Sequence, residues 1–216
     1  DHVPPKSFFP PKSNDLITVP CCRKCNSGFQ KDDDYSRLYL LFTAKDVSKN
    51  NKRRQVWENA IRSLLRPQAR GFAKHVVNSI SEKTQRTQSG IYWNANYLNI
   101  DMHRLDMFVS RMVRALFFKE KGAILSDDYD LRPLWANDLS TYDLRSRSKF
   151  IASAHKLLSA PCKVERNLDI FRYWNSYLDE KFSDSLWLLE FFGTHQCLVV
   201  CTCEKSLKEI EKAGLA

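Results

Sequence analysis

Apolar residues recur at helical spacing through much of the first 121 residues. The pattern begins behind three acids at Asp32 and continues over residues 52–65, 68–80 and 101–121. An apolar stripe that repeats every three to four residues is typical of a helix that buries one face. Gly122 suits the C-terminal end of the last of these helices. This region is therefore predicted to be largely helical.

The last third of the chain has a different pattern. Aromatic and β-branched runs separated by short polar turns are typical of an antiparallel meander, and they occupy residues 170–177, 185–192 and 196–203. A further strand is predicted at residues 91–98, and short helices at residues 149–158 and 204–213. The predicted fold class is α+β, with a helical middle and a C-terminal antiparallel sheet.

The chain is basic, with a formal net charge of +9. The excess is strong in residues 49–54 and at Arg62, Arg66, Arg70 and Lys74. Such a surface suits a polyanion, because each neutralised phosphate releases condensed counterions. A solvated helix face with no such partner fits the same pattern about equally well.

No part of the sequence has the pattern of a membrane anchor. No stretch approaches the roughly 20 apolar residues that cross a bilayer, and the N-terminus lacks the layout of a signal peptide. We therefore expect a cytoplasmic protein without a membrane partner.

The seven cysteines are unevenly spread and do not form a disulfide framework. Cys22 and Cys25 have the spacing of half a zinc knuckle, which we favour over buried thiols. The remaining cluster is expected to be core thiols on one side of the last strand, and it consists of Cys197, Cys201 and Cys203.

Three segments near the start carry residues suited to phosphodiester hydrolysis. They read Asp1-His2-Val3-Pro4-Pro5-Lys6-Ser7, Asn14-Asp15-Leu16-Ile17-Thr18-Val19 and Cys22-Arg23-Lys24-Cys25-Asn26. The reaction needs a base to activate water and a cation to stabilise the leaving oxygen. His2 is suited to be the base, and Asp1 and Asn26 offer oxygens to a hard cation. A terminal Asp-His pair taken alone would more simply be frayed chain.

In this order the three segments resemble the HNH endonuclease family, over roughly the first 35 residues. The resemblance implies an N-terminal ββα-metal motif in which His2 is the general base and Asp1 a metal ligand. It further implies that Asn14 orients the His2 loop through backbone hydrogen bonds. Asn26 would be the second metal ligand, at the position where the family usually has a histidine.

The resemblance also sets the expected cofactors and organisation. The catalytic cation would be Mg²⁺ or Mn²⁺, and a structural Zn²⁺ on Cys22 and Cys25 would need two further ligands upstream of Asp1. We expect a nuclease motif at residues 1–46, preceded by a missing segment, and a helical region followed by a β-meander at residues 47–216. The substrate is expected to be DNA, and the predicted nucleic-acid contacts are Lys52, Arg53, Arg54 and Arg62.

Two other functions remain open. The chain would also suit a non-catalytic nucleic-acid-binding module, in which the basic helices bind and the cysteines hold a structural zinc. It would equally suit the nuclease subunit of a larger bacterial defence or guided effector complex. The aromatic residues of the predicted strand, Tyr92, Trp93 and Tyr97, would be able to stack bases, although such a strand is more often core.

Overall fold

Helices and antiparallel strands alternate along the chain. The computed structural model describes residues 1–14, 16–87, 89–136, 144–159, 161–164, 167–178 and 184–203. Its helices are α1 (Arg23–Phe42), α2 (Asn51–Leu64), α3 (Arg70–Asn78), α4 (Met102–Lys121) and α5 (Leu144–Leu158). Its strands are β1 (His2–Val3), β2 (Ile17–Thr18), β3 (Ile80–Arg86), β4 (Tyr92–Leu98), β5 (Tyr129–Trp135), β6 (Phe171–Tyr177), β7 (Ser185–Phe191) and β8 (His195–Cys203). The α+β class is confirmed.

Helix α4 packs its apolar stripe into the main core. Asp101 caps its N-terminus by accepting a hydrogen bond from the Arg104 nitrogen at 3.4 Å, and Gly122 ends it with a φ of 68°. Such a left-handed residue costs glycine little, because it has no Cβ. The buried residues follow the predicted spacing, and they are Leu105, Phe108, Val109, Met112, Val113, Leu116 and Phe117.

The C-terminal sheet has the strand order β5-β8-β7-β6, with all neighbours antiparallel. The predicted meander is β6-β7-β8. One face of the sheet joins the main core through residues such as Trp187 and Val199. The other face is covered by α5, whose Phe150 and Leu157 pack with Leu188. Both faces are therefore buried.

The N-terminal segment contributes to the same core as the rest of the chain. Phe8 is fully buried, and its ring stacks on Phe108 of α4 at 5.2 Å and on Phe192, after β7, at 6.0 Å between centroids. Residues on both sides of the predicted boundary at 46/47 thus belong to one core. The boundary itself stays a prediction.

Several elements differ from the sequence-based expectation. Helix α1 begins at Arg23, well before the predicted start at Asp32. The sequence did not indicate these first turns because they are mostly exposed and show no apolar period. The third helix ends at Asn78 instead of Ile80, and it is followed by β3, which was not predicted. Strand β5 was also missed, since only Trp135 in it is buried and it contains Pro133, a residue that is rare inside strands. The helix predicted at residues 204–213 lies outside the described residues.

The expectation that the aromatic strand would be core was wrong for its tip. Tyr92 is 67% exposed and Trp93 50% exposed. β3 and β4 pair only with each other, and every residue of β3 is exposed. No large apolar layer covers these rings in the described part of the chain, so they face solvent.

The cysteines predicted to be core thiols are buried. Cys197 and Cys201 are fully buried and Cys203 is 6% exposed. His195, on the same strand, is also buried, and its Nε2 lies 3.2 Å from the Thr43 hydroxyl. None of the described helices is long and apolar enough to cross a lipid bilayer.

Candidate active site

A two-stranded ribbon holds the Asp1-His2 pair in place. His2 pairs with Thr18, and Val3 with Ile17, in antiparallel register. The nitrogen of Asp1 donates to the Val19 carbonyl at 2.7 Å, and the Val19 nitrogen donates to the Asp1 carbonyl at 2.9 Å. The pair is therefore part of a hydrogen-bonded ladder and is not frayed.

The loop after β1 is anchored by Phe8. A short 3-10 helix, Lys6–Phe8, follows Pro5, whose carbonyl accepts a hydrogen bond from the Phe8 nitrogen at 2.9 Å. The buried Phe8 ring fixes this loop against α4 and the sheet. The ribbon that carries His2 is thus attached to the main core close to its strand ends.

Two features of the structure bear on His2, the predicted proton acceptor. Its backbone nitrogen donates to Oδ1 of Asp1 at 2.8 Å, which orients the carboxylate beside it. Burial, then the positive charge of the Asp1 amino group and that of Lys6, lower the pKa of the His2 imidazole. Since the ordinary pKa of histidine is about 6.5, a lowered value keeps the ring neutral and basic at neutral pH.

Asn14 does not show the role that the family resemblance implies. It is exposed, and its backbone carbonyl accepts a hydrogen bond from Asn167 Nδ2 at 3.5 Å. Within the described residues its side chain forms no hydrogen bond to the His2 loop. An orienting role for Asn14 stays a prediction.

Asn26 lies in the first turn of α1. Its backbone nitrogen donates to the Cys22 carbonyl at 3.0 Å, and both residues are exposed. The side chain of Cys25 is not among those described. In the ββα order of the chain, the first turn of α1 follows β2 after a connection of only four residues, Val19 to Cys22.

The donor set near the ribbon suits a hard cation better than zinc. A carboxylate at Asp1 and an amide oxygen at Asn26 are ligand types that Mg²⁺ accepts, and Mg²⁺ keeps several waters of its own. Within the described residues no group of three or more His, Cys, Asp or Glu side chains is placed to hold a metal. Structural zinc needs four N or S ligands, so the described residues alone do not provide such a site.

A cavity of about 320 Å³ opens beside His2. The β1–β2 ribbon contributes Asp1, His2 and Val19, and α1 contributes Phe29, one turn after Asn26. Helix α4 forms the opposite wall with Arg111 and Arg114. The ribbon, α1 and α4 thus converge on the predicted base.

The two arginines of this cavity were not found by sequence reasoning. Arg111 is ion-paired with Asp33, and burial raises the pKa of that carboxyl although Arg111 opposes the rise. Arg114 donates to the carbonyls of Leu125 and Tyr129 at 3.2 Å. These residues lie on the polar side of an amphipathic helix, and only the tertiary packing shows which wall they form.

Arg114 brings a positive charge to the cavity, whose lining also includes the carboxylates of Asp1 and Asp127. Its carbonyl partners are neutral, and its ion pair with Asp127 spans 3.5 Å to a fully exposed carboxylate. Solvent screens such a pair strongly. Arg111, in contrast, has its charge neutralised by the largely buried Asp33.

The four predicted nucleic-acid contacts are not equally available. Arg53 is half-buried, and its Nε donates to the Asp169 carbonyl at 2.9 Å, which links α2 to the start of the C-terminal sheet. Lys52 and Arg54 are exposed and each forms an ion pair of 3.8 Å, and Arg54 also donates to the Asn51 side chain at 3.2 Å. Arg62 is exposed and donates to the Asn59 side chain.

A second basic surface follows further along the chain. A cleft of about 750 Å³ lies between α1 and α3, with Lys31, Arg66 and His75 in its lining. Among the described residues no carboxylate pairs with Arg66, nor with Arg70 or Lys74 of α3. These charges remain available to an anionic partner.

Comparison of the chain with family models, curated proteins and solved structures finds no match. Function must therefore be inferred from the site itself. The structure brings Asp1 and His2 to one cavity and places Asn26 a turn from its wall, while Asn14 lies on an exposed loop.

Proposed function

We propose that this chain is a metal-dependent endonuclease of the HNH type that hydrolyses phosphodiester bonds, with DNA as the expected substrate. The observation that carries this proposal is the placement of His2. The β1–β2 ribbon places it in the lining of a cavity that also contains Arg114, and burial together with nearby positive charges lowers the pKa of its ring. A neutral imidazole beside a fixed positive charge suits the removal of a proton from water near a phosphate.

In this proposal His2, Arg114 and Asp1 have different roles. His2 accepts a proton from the attacking water. Arg114 would contribute a positive charge that favours the phosphate, and Phe29 forms part of the apolar lining of the cavity. The His2 backbone nitrogen donates a hydrogen bond to Oδ1 of Asp1, which holds the Asp1 carboxylate next to His2.

Asp1 and Asn26 are the residues that would hold a catalytic Mg²⁺ or Mn²⁺. Such a cation stabilises the negative charge that develops on the leaving oxygen. Both residues offer oxygen ligands of the kind that these ions prefer. A structural zinc at Cys22 and Cys25 would require partners from another segment or another chain.

A nucleic-acid-binding module without catalysis is the second candidate. The unpaired charges of Arg66, Arg70 and Lys74 favour it, because phosphate contacts of this kind bind nucleic acid whether or not it is cut. A nuclease subunit of a larger defence or effector complex would use the same surface.

Plasmid cleavage tests the proposal. The full-length protein is incubated with supercoiled plasmid in Mg²⁺, Mn²⁺ or EDTA and compared with His2→Ala and with His155→Ala, a change at an exposed histidine of α5. We expect metal-dependent nicking that His2→Ala reduces by roughly 100-fold or more and that His155→Ala leaves unchanged. Cleavage that survives in His2→Ala would exclude His2 as the base, and binding without cleavage would favour the second candidate.

A further inference from the structure

The β3–β4 hairpin is the most exposed regular element in the described part of the chain. All seven residues of β3 are exposed, as are Tyr92 and Trp93 at the tip half of β4. A β-strand rises about 3.3 Å per residue, so the seven paired residues extend roughly 20 Å from the base. An isolated two-stranded ribbon is at best marginally stable in water, and the rings of Tyr92 and Trp93 are open to a partner.

The rings and cations of the hairpin are sorted by face. Cross-strand partners share a face of a ribbon, and the register pairs Gln85 with Trp93 and Ser81 with Tyr97. Trp93, Tyr97 and Lys83 therefore lie on one face, and the ammonium of Lys83 is 5.2 Å from the Tyr97 ring centroid. Arg86 and Tyr92 lie on the other, with the guanidinium 5.7 Å from the ring.

The charge of this region matches a polyanion. Residues 51–98 contain nine lysines and arginines and only two acidic residues, Glu58 and Glu82. Like the charges of α3, those of Lys83 and Arg86 have no carboxylate partner among the described residues. Most of the net charge of the chain is therefore carried by α2, α3 and the hairpin.

Both ends of the hairpin are fastened to α1. Before β3, the Ser79 hydroxyl lies 2.9 Å from the hydroxyl of Tyr39. After β4, the nitrogen of Asp101 donates to the hydroxyl of Tyr35 at 2.6 Å. At a rise of 1.5 Å per residue, Tyr35 is about 14 Å along the helix from Asn26. The hairpin and the candidate active site thus share one helix.

We infer that the β3–β4 hairpin is a binding arm for single-stranded nucleic acid, on which unpaired bases stack against Trp93 and Tyr97 while Lys83, on the same face, and the charges of α3 contact the backbone. Aromatic platforms combined with a basic surface are the means by which proteins bind unpaired strands without sequence preference. The rings favour unpaired bases over a duplex, because bases in a duplex are already stacked on one another. The inference rests on the proposed function for its choice of nucleic acid as the partner, and it specifies the form of nucleic acid that the protein holds.

Binding to a labelled oligothymidylate, measured by anisotropy in EDTA, tests the arm separately from catalysis. We expect Trp93→Ala to weaken binding about tenfold or more, in line with the usual effect of removing one stacking ring, whereas Trp93→Phe should retain most of the affinity. Because Trp93 is exposed, either variant should fold like the parent, which circular dichroism and thermal unfolding would verify. Duplex of matched length should bind more weakly and lose little on Trp93→Ala.

Tryptophan fluorescence gives a second readout of stacking. Of the five tryptophans, Trp135, Trp174 and Trp187 are buried and Trp57 packs edge-on against Phe42. Quenching by oligothymidylate should therefore persist in Trp57→Phe and disappear in Trp93→Phe.

Three results would overturn the inference. The first is an unchanged single-strand affinity in Trp93→Ala, and the second is an equal loss of duplex binding in that variant. The third is a parent protein that is a dimer in light scattering and that Trp93→Ala converts to a monomer, which would make the hairpin an interface between copies. The assay is independent of the nuclease proposal, because EDTA and a His2→Ala background leave binding measurable. Failure of plasmid cleavage would leave this result unaffected, and the converse also holds.

Discussion

His2 is the residue on which the proposed chemistry depends, and its protonation should set the pH profile. Its pKa is lowered from about 6.5 by burial and by neighbouring positive charges. The neutral ring is the active form, so the single-turnover cleavage rate should be constant near neutral pH. It should fall only when the pH drops below about 6.5, the ordinary pKa of histidine. A profile measured between about pH 4.5 and 8 would show this midpoint.

Lys6→Gln provides a matched change for that profile. Lys6 is exposed and contributes to the lowered pKa, so its removal should move the midpoint upward, toward the ordinary histidine value. A midpoint above 6.5 in the parent protein, or one that Lys6→Gln moves downward, would contradict the assignment.

The residues of the site were only partly predictable. Asp1 and His2 could be proposed from the sequence because their motif is local, and the structure places both in the lining of one cavity. Arg114 was not found, since its position beside His2 depends on the packing of α4 against the ribbon. Nothing in the local sequence distinguishes it from the other arginines on the polar side of that helix.

At the scale of elements, the junction of α2 with the C-terminal sheet depends on a glycine. Gly193 has a φ of +61°, and a methyl group added there would overlap the guanidinium of Arg53. That guanidinium bonds the Asp169 carbonyl, so a shift would weaken the contact between α2 and the sheet. We expect Gly193→Ala to lower the free energy of unfolding by about 2 to 3 kcal/mol in urea titrations, combining backbone strain with the lost contact.

Gly122→Ala is the control for the backbone contribution. Gly122 has a similar φ of +68°, but a Cβ there would meet no atom within 4 Å. It should cost only about 1 to 2 kcal/mol, the strain of a left-handed residue. Equal costs at the two glycines, or an unchanged difference when Arg53→Ala is added, would show that the clash with Arg53 is unimportant.

Elements were predictable from sequence where one face is buried. Helix α4 and strands β6, β7 and β8 have clear apolar periods because the core selects them. The first turns of α1 and all of β3 are exposed, so burial imposes no period on their sequences. Strand β5 carries charged residues at alternate positions and a proline, Pro133, which obscured its buried side.

At the scale of the whole molecule, the N-terminal motif and the rest of the chain should unfold together. The Phe8 ring contacts both α4 and the segment after β7, so truncating this side chain removes packing on each side. Phe8→Ala should lower the free energy of unfolding by about 3 to 5 kcal/mol. Far-ultraviolet circular dichroism and tryptophan fluorescence should still report one coincident urea transition.

Met107→Ala is the comparison for that prediction. Met107 is on α4 but is 58% exposed, so its removal should change stability by no more than about 0.5 kcal/mol. Two separate transitions in the parent protein would instead indicate that the N-terminal motif is a domain of its own.

The base of the hairpin has a consequence for how this protein tolerates change. The Asn99 nitrogen donates to the Ser79 carbonyl at 2.8 Å, so the chain leaves the helical body and returns to it at adjacent points. Leu98 packs against the main core, so changes that keep this residue but lengthen, shorten or replace the outer part of the hairpin alter a surface loop, and the entropy of closing a loop grows slowly with its length. The hairpin is thus an exchangeable attachment, which could be grafted or diversified while the helices beneath it keep their positions.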